Sequence, residues 1–563
     1  MIRNFLKNDL GTDPEDPKYR GMAGGIRLVS ALLLAASVLY YLITAGLLLP
    51  LYLPGYNSLG TDKSLFWIVN LKVSFLIFSA SAFFYLVSHI AGSASKSSAK
   101  HEPVSLSYLK KNILPHEIWT VLFAESVLVS YTVSDYKNVA LMGETNWYVG
   151  AWEYLALCLC VLVIGRTRIR GTVFTSVMLA ASMAVFAAGI LMDIAGSRLG
   201  IDGWNESKFS TIGNTNWFCG YLVCVLFISA AVYLLKTDDG KSDTRIAKIF
   251  CPICFAAGSY CLYSQGSSSA YPAVTAAVLT LLVFCGREVR KLGSLIRLLP
   301  VLCAGGLAHA AAVLLGVYER ANDPVTKALD GLPFQLFLFA VSTVIMFTFD
   351  KIRKSGRTET GISAGKTALT VTVSAVMIYI AVLTFNTVSD GILGTGPVLY
   401  FGDEWASSRG MTISVGLELF KGMSIREKFF GTGPDTFYSL LCSGRFPLLA
   451  EKVTAYFGGA RLTNAHCEPV TMLVNTGIWG CVCFYGMLIS LFAEMFGSVL
   501  HKSPDDERTD SSRTAALAAS VGLMAYIVNN LFSFQTAVNL SQLSLLAGFG
   551  AAAVRNMKDP EDK

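Results

Sequence analysis

The segment Thr463-Asn464-Ala465-His466-Cys467-Glu468-Pro469 gathers a carboxamide, a histidine and a carboxylate in one short run. A histidine that is neutral near pH 7 can take a proton from a hydroxyl nucleophile. Pro469 suits the first position of a helix, and a helix N-terminus attracts anions. Upstream lies Arg409, whose planar fork of donors matches phosphate oxygens. Between them, Gly431-Thr432-Gly433-Pro434-Asp435 reads as a turn or breaker. A second block, Lys208-Phe209-Ser210-Thr211-Ile212-Gly213-Asn214-Thr215-Asn216, again sets a cation before a helix start that Asn214 or Thr215 can cap. Each block thus sets an outward-facing helix N-terminus that suits an anion. Nothing indicates metal chemistry. No DxD pair lies near these blocks, and the Cys251–Cys254 pair sits in an apolar run without a second pair or histidine partners.

Such residues need elements to hold them, and composition says what kind. Of 563 residues, 53% are hydrophobic and 15% charged, with a mean hydropathy of +0.52. Soluble proteins carry about 25% charged residues, so most of this chain's surface faces something other than water. A bilayer span takes roughly 20 apolar residues as a helix, because each backbone polar group must be satisfied within the segment. About fourteen runs fit that length: 24–49, 66–91, 117–135, 147–165, 173–195, 214–235, 248–265, 269–286, 298–317, 333–350, 367–386, 470–498, 514–533 and 536–554. The expected fold is an all-α polytopic integral membrane bundle of about 12–14 transmembrane helices. It forms a single membrane domain, 1–563, with one large extracytoplasmic helical loop, 387–469.

Charge placement supports that map. With the N-terminus inside, basic residues cluster in the cytoplasmic loops, for example Arg166, Arg168 and Arg170, or Lys351, Arg353, Lys354 and Arg357. The short outer loops are nearly bare. The positive-inside rule is met at every crossing, and both termini are then cytoplasmic. The net charge of +6 reflects this bias and points to no nucleic acid. The first apolar run is too long for a cleaved signal and follows a polar stretch, so it reads as a first membrane helix.

The long loop has internal order. Within RGMTISVGLELFKGMSIREKFF, 409–430, Met411, Val415, Leu419 and Met423 recur at four-residue spacing. That spacing predicts an amphipathic helix lying on the membrane or on the bundle. A second apolar-rich stretch, Thr436 to Phe457, follows the glycine turn. Cys442 and Cys467 both fall in this loop, where a bond between them is open but nothing favours it. Lys72, Glu153 and Asp193 lie near the outer ends of spans, with Glu125 deeper, which suggests a polar cavity opening outward.

Together these blocks resemble the O-antigen ligase and polymerase superfamily of bacterial envelope enzymes. Gly431-Thr432-Gly433-Pro434 followed by Phe437 resembles that family's GxGP stretch. Asn464-Ala465-His466, followed by Asn475-Thr476-Gly477-Ile478-Trp479-Gly480, resembles its AHN…GxxG block, and Ile212-Gly213-Asn214-Thr215-Asn216 its GNPN block. Arg409 resembles the arginine that opens the long loop. The order covers about half of the chain, from near 198 to 554. The chain departs from the pattern at Cys467 (usually asparagine), at Thr215 (usually proline) and at Lys208, where an arginine is usual unless Arg198 serves instead.

The resemblance implies transfer of a glycan from an undecaprenyl-diphosphate carrier to a glycan, lipid or cell-wall acceptor. The transfer would occur at the outer face of the bacterial cytoplasmic membrane, with no cofactor and no metal. In that reading Arg409, Lys208 or Arg198, and Arg320 stabilise the diphosphate, helped by two helix N-termini. His466 serves as general base or binds the diphosphate, and Glu468 or Asp435 orients it or takes the proton. Asn214, Asn216, Gly431, Gly433 and Asn464 complete the substrate site. The other reading is a transporter or lipid-linked oligosaccharide flippase. Against it, no internal repeat is evident, and the polar features gather at one face rather than at the midplane.

Overall fold

The computed structural model describes residues 14–16, 21–47, 73–74, 76–85, 87, 113–145, 147–199, 210, 212, 214–236, 244–286, 288–317, 329, 331–354, 364–501 and 507–558. Among them the regular structure is helical throughout. In chain order the helices are α1 (Gly21–Leu47), α2 (Pro115–Val133), α3 (Lys137–Met142), α4 (Ala151–Ile164), α5 (Gly171–Leu199), α6 (Thr215–Lys236), α7 (Thr244–Ser264), α8 (Ala270–Cys285), α9 (Val289–Leu314) and α10 (Leu332–Lys354). There follow α11 (Ala364–Val388), α12 (Trp405–Gly422), α13 (Ile425–Phe430), α14 (Phe437–Leu441), α15 (Pro447–Tyr456), α16 (Glu468–Asn475), α17 (Gly477–His501), α18 (Glu507–Asn529) and α19 (Ala537–Lys558).

The chain is a polytopic helical membrane bundle. Among the described residues, nine helices are long and apolar enough to cross a membrane: α1, α5, α6, α9, α10, α11, α17, α18 and α19. The expected spans at 117–135, 147–165, 248–265 and 269–286 are also helical but fall outside that nine. Two of them are short, with 14 residues in α4 and 16 in α8. The α2 helix carries Glu117 and Glu125. The expected span 66–91 is described only in part, and Lys72 lies outside the described residues.

Packing follows from which helices hide their faces. The α18 helix packs on α19, α6, α8 and α17, and α19 packs in turn on α4. The α6, α18 and α19 helices are almost wholly buried, while α10 and α11 stay largely exposed, as lipid-facing apolar helices would. All thirteen cysteines are free, and all but Cys442, Cys467 and Cys481 are buried. They pack as small apolar side chains. Cys442 and Cys467 form no disulfide.

The 387–469 loop folds around an apolar cluster of its own. Met411, Val415, Leu419 and Met423 lie on one face of α12 and its end, and are buried against Phe437, Leu440, Val453 and Val470. The predicted amphipathic stripe therefore faces the loop's own core. Each fully buried side chain of this kind contributes about 1.5–3 kcal/mol, which is what orders so long a connection.

The late run 470–498 is two helices. The α16 helix closes at Thr476, and Gly477 adopts φ +70° before α17 begins. The break falls at Asn475-Thr476-Gly477, inside an otherwise apolar run. The backbone that meets it holds it open: Thr432 N–H donates to Val474 O at 3.1 Å and Gly433 N–H to Asn475 O at 2.9 Å. The glycine turn thus takes up carbonyls that the end of α16 leaves unpaired.

Candidate functional site

Arg409 opens the right-handed part of α12. The three residues before it, Ala406, Ser407 and Ser408, have φ of 49°, 60° and 67°. Consecutive left-handed residues other than glycine are costly and persist only where the surroundings hold them. Here Arg409 is the brace: its Nε donates to Phe532 O at 2.6 Å and its Nη1 to Ala406 O at 2.7 Å. The side chain is buried and tied to the α18–α19 connection.

His466 is strained as well, with φ 48°. Asn464 Oδ1 accepts the His466 N–H at 3.0 Å, and Thr412 Oγ1 donates to Ala465 O at 2.8 Å. The segment is thereby pinned against α12. The imidazole stands edge-on to Phe534, 4.8 Å between ring centres, and its buried Nδ1 has no hydrogen-bond partner among the described residues. Burial, and then the nearby Arg409 charge, push His466 down to about 4, against a raising influence from Asn464. The ring is neutral near pH 7.

Two carboxyl groups face a common pocket behind it. Glu468 is fully buried, at 0% exposure. Its Oε2 accepts the Gln535 N–H at 2.9 Å and its Oε1 the Tyr154 hydroxyl at 3.3 Å. Asp435 Oδ2 accepts the Glu144 N–H at 2.7 Å and the Val149 N–H at 3.1 Å. Burial dominates both acids: it raises Glu468 to about 8 and Asp435 to about 7, although the hydrogen bonds pull the other way. Both lie outside the membrane-crossing helices, and each repels ionisation of its neighbours. The pocket they share is also lined by Trp147, Asn464, Asn475, Phe534 and Gln535, and is about the size of one water molecule.

A chain of polar contacts links this pocket to the second sequence block. Ser267 Oγ donates to Asn216 Oδ1 at 3.3 Å and meets Ser269 Oγ at 2.8 Å. Cys219 bridges Ser269 and Asn529, Asn529 reaches Asn530, and Asn530 Nδ2 donates to Gln535 Oε1 at 3.3 Å. Gln535 then donates to Glu468. The start of α6 and the end of the loop therefore meet at one end of the bundle, although widely separated in sequence.

Of the residues singled out from the sequence, Arg409, Asp435, Asn464, His466 and Glu468 come together here. Gly431 and Gly433 act one step back, as the turn sealed onto α16. Asn214 caps α6: its Oδ1 accepts the N–H groups of Asn216 at 2.9 Å and Trp217 at 3.3 Å. Those amides are thus already satisfied, which leaves that helix end less to offer an anion than expected. The Glu468 N–H at the start of α16 is likewise taken, by Asn530 O at 2.8 Å. Lys208 and Arg320 lie outside the described residues, as does the side chain of Arg198 in α5.

Glu153 and Glu125 do not line the pocket. Glu153 Oε2 accepts the Gly150 N–H at the start of its own helix, and Glu125 Oε2 accepts from Trp479 Nε1 at 2.9 Å. Sequence reasoning missed Tyr154, Gln535 and the aromatic pair Trp147–Phe534, and gave Asn475 no role beyond its place in the family block. The signal for Gln535 was a polar residue in the tight link between the last two spans. No group of three or more metal-ligating side chains occurs among the described residues. Against known proteins, no family model matches the chain, and neither does any curated protein.

Proposed function

We propose that this chain is a membrane glycosyltransferase of the polysaccharide ligase or polymerase type. It would move a glycan from an undecaprenyl-diphosphate carrier to an acceptor at the outer face of the bacterial cytoplasmic membrane. The termini would lie in the cytoplasm and the 387–469 loop outside. The observation that carries this reading is the pairing of a neutral, half-buried His466, with a buried and unpartnered Nδ1, and the nearby braced cation Arg409. The motif order adds support from the sequence.

In this reading the acceptor hydroxyl attacks the anomeric carbon of the donor sugar. The bond from that carbon to the diphosphate oxygen breaks, and the lipid diphosphate leaves with the electron pair. The hydroxyl proton passes to His466. Arg409 stabilises the charge that develops on the leaving group. A diphosphate bound beside His466 also favours its protonated form, which raises the basicity of a ring that is weakly basic at rest. Asn464, by holding the His466 backbone, acts as a positioning residue.

The test is in cells. Strains carrying His466→Ala or Arg409→Ala as the sole copy should accumulate the lipid-linked glycan and lose the polymeric or ligated product. A general base contributes about 10²–10⁴-fold, so the loss should be of that order. Normal product in both strains, with no accumulation of precursor, refutes the assignment.

A further inference from the structure

The pocket at Asp435 and Glu468 holds two polar atoms that the fold leaves unused. Asn475 is 5% exposed and its Oδ1 has no partner; Gln535 is 6% exposed and its Nε2 has none, among the described residues. The Gln535 orientation is fixed, because its Oε1 accepts from Tyr526 and Asn530. One unsatisfied acceptor and one unsatisfied donor therefore line the same small recess. Buried polar atoms in native proteins are almost always paired with protein, water or ligand, so such a set marks a seat for one small group that both donates and accepts, a water when the site is empty of substrate and a substrate hydroxyl when it is not.

The chemistry of the recess narrows the ligand. A phosphate would find no cation among the lining residues to balance its charge. A metal cation would meet the Gln535 amide hydrogens. A hydroxyl group both donates and accepts, and suits all of them. The recess is large enough for one hydroxyl and too small for a sugar ring. Beside it stands the half-buried Trp147, backed edge to face at 4.9 Å by the buried Phe534, and its exposed part offers an apolar surface to the C–H face of a ring.

We propose that this notch is a hydroxyl-binding subsite for a saccharide, which seats the ring against Trp147 while the anionic diphosphate lies apart, on the Arg409 side. The proposal rests on the glycosyltransferase reading and adds to it where the neutral and anionic parts of the substrates go. Asp435 and Glu468 then serve sugar recognition.

The experiment uses the full chain in lipid nanodiscs. The saccharide probes are the methyl glycosides of glucose, galactose and N-acetylglucosamine, followed by saturation-transfer NMR; the anion probe is inorganic pyrophosphate, followed by calorimetry. At least one glycoside should bind the wild type. Asn475→Leu should weaken it about tenfold, the worth of one lost hydrogen bond, without lowering the melting temperature, since the deleted oxygen had no partner. If that variant does not fold, Trp147→Leu should show the same loss. Pyrophosphate binding should be unchanged by these variants and weakened by Arg409→Ala.

No binding by any of the three glycosides overturns the proposal, as does unchanged glycoside binding in the variants. Loss of pyrophosphate binding in Asn475→Leu would place the anion in the notch and also overturn it. The glycosyltransferase reading fails separately, if Arg409→Ala cells make normal surface glycan while glycosides still bind.

Discussion

Burial of Glu468 makes a pH-dependent stability that can be measured without any substrate. In the unfolded chain its carboxyl titrates near 4.5, and in the folded protein near 8. Folding therefore favours the protonated acid. The stabilisation is complete below pH 4.5 and is lost as pH rises through about 8. The interval corresponds to about 5 kcal/mol at most, falling by no more than about 1.4 kcal/mol per pH unit.

Glu468→Gln removes the ionisation while preserving the shape. It costs at most about 1 kcal/mol at pH 5, because the carboxamide oxygen can still accept from the Gln535 N–H while its NH2 donates to the Tyr154 hydroxyl, as the protonated acid can. It should gain on the wild type as pH rises and overtake it by about pH 8. Thermal melting of the detergent-solubilised protein from pH 5 to pH 9 checks this. Parallel curves for the two proteins would refute the neutral-acid picture of the pocket.

Other outcomes follow from the same geometry. Gly431 has φ +80°, and a Cβ there would lie 2.2 Å from Asn475 O. Gly431→Ala should therefore cost about 2 kcal/mol or more and lower the melting temperature in proportion. Cys442 is the one exposed cysteine. If the loop lies outside, a membrane-impermeant maleimide should label intact cells once per chain, and Cys442→Ser should abolish the label; labelling only after permeabilisation would put the loop inside.

Much of the architecture was legible from residue order. The four-residue spacing of Met411, Val415, Leu419 and Met423 announced a helix with one buried face, and Asn214 or Thr215 announced a cap, which Asn214 supplies. What it could not specify was the partner of that face, because a stripe of this kind looks the same against lipid, bundle or loop. The break at Asn475-Thr476-Gly477 is a short turn signal inside an apolar run long enough to span, and the docked glycine turn is what opens it into two helices. The pocket was half legible. Asp435 and Glu468 read as charges in sequence, but burial keeps protons on them near neutral pH. Asn475 and Gln535 are ordinary carboxamides until the fold leaves one atom of each unpaired.

The central claim is that His466 and Arg409 work on a lipid-linked glycan, and reconstitution tests it most directly. Purified protein in proteoliposomes would be supplied with an undecaprenyl-diphosphate-linked glycan and an acceptor glycan. Release of undecaprenyl diphosphate and extension of the acceptor would be followed together, alongside the distribution of donor between leaflets. The expected result is stoichiometric release and extension with no net translocation, lost in both His466→Ala and Arg409→Ala. Translocation without transfer, or full transfer by both variants, would contradict it.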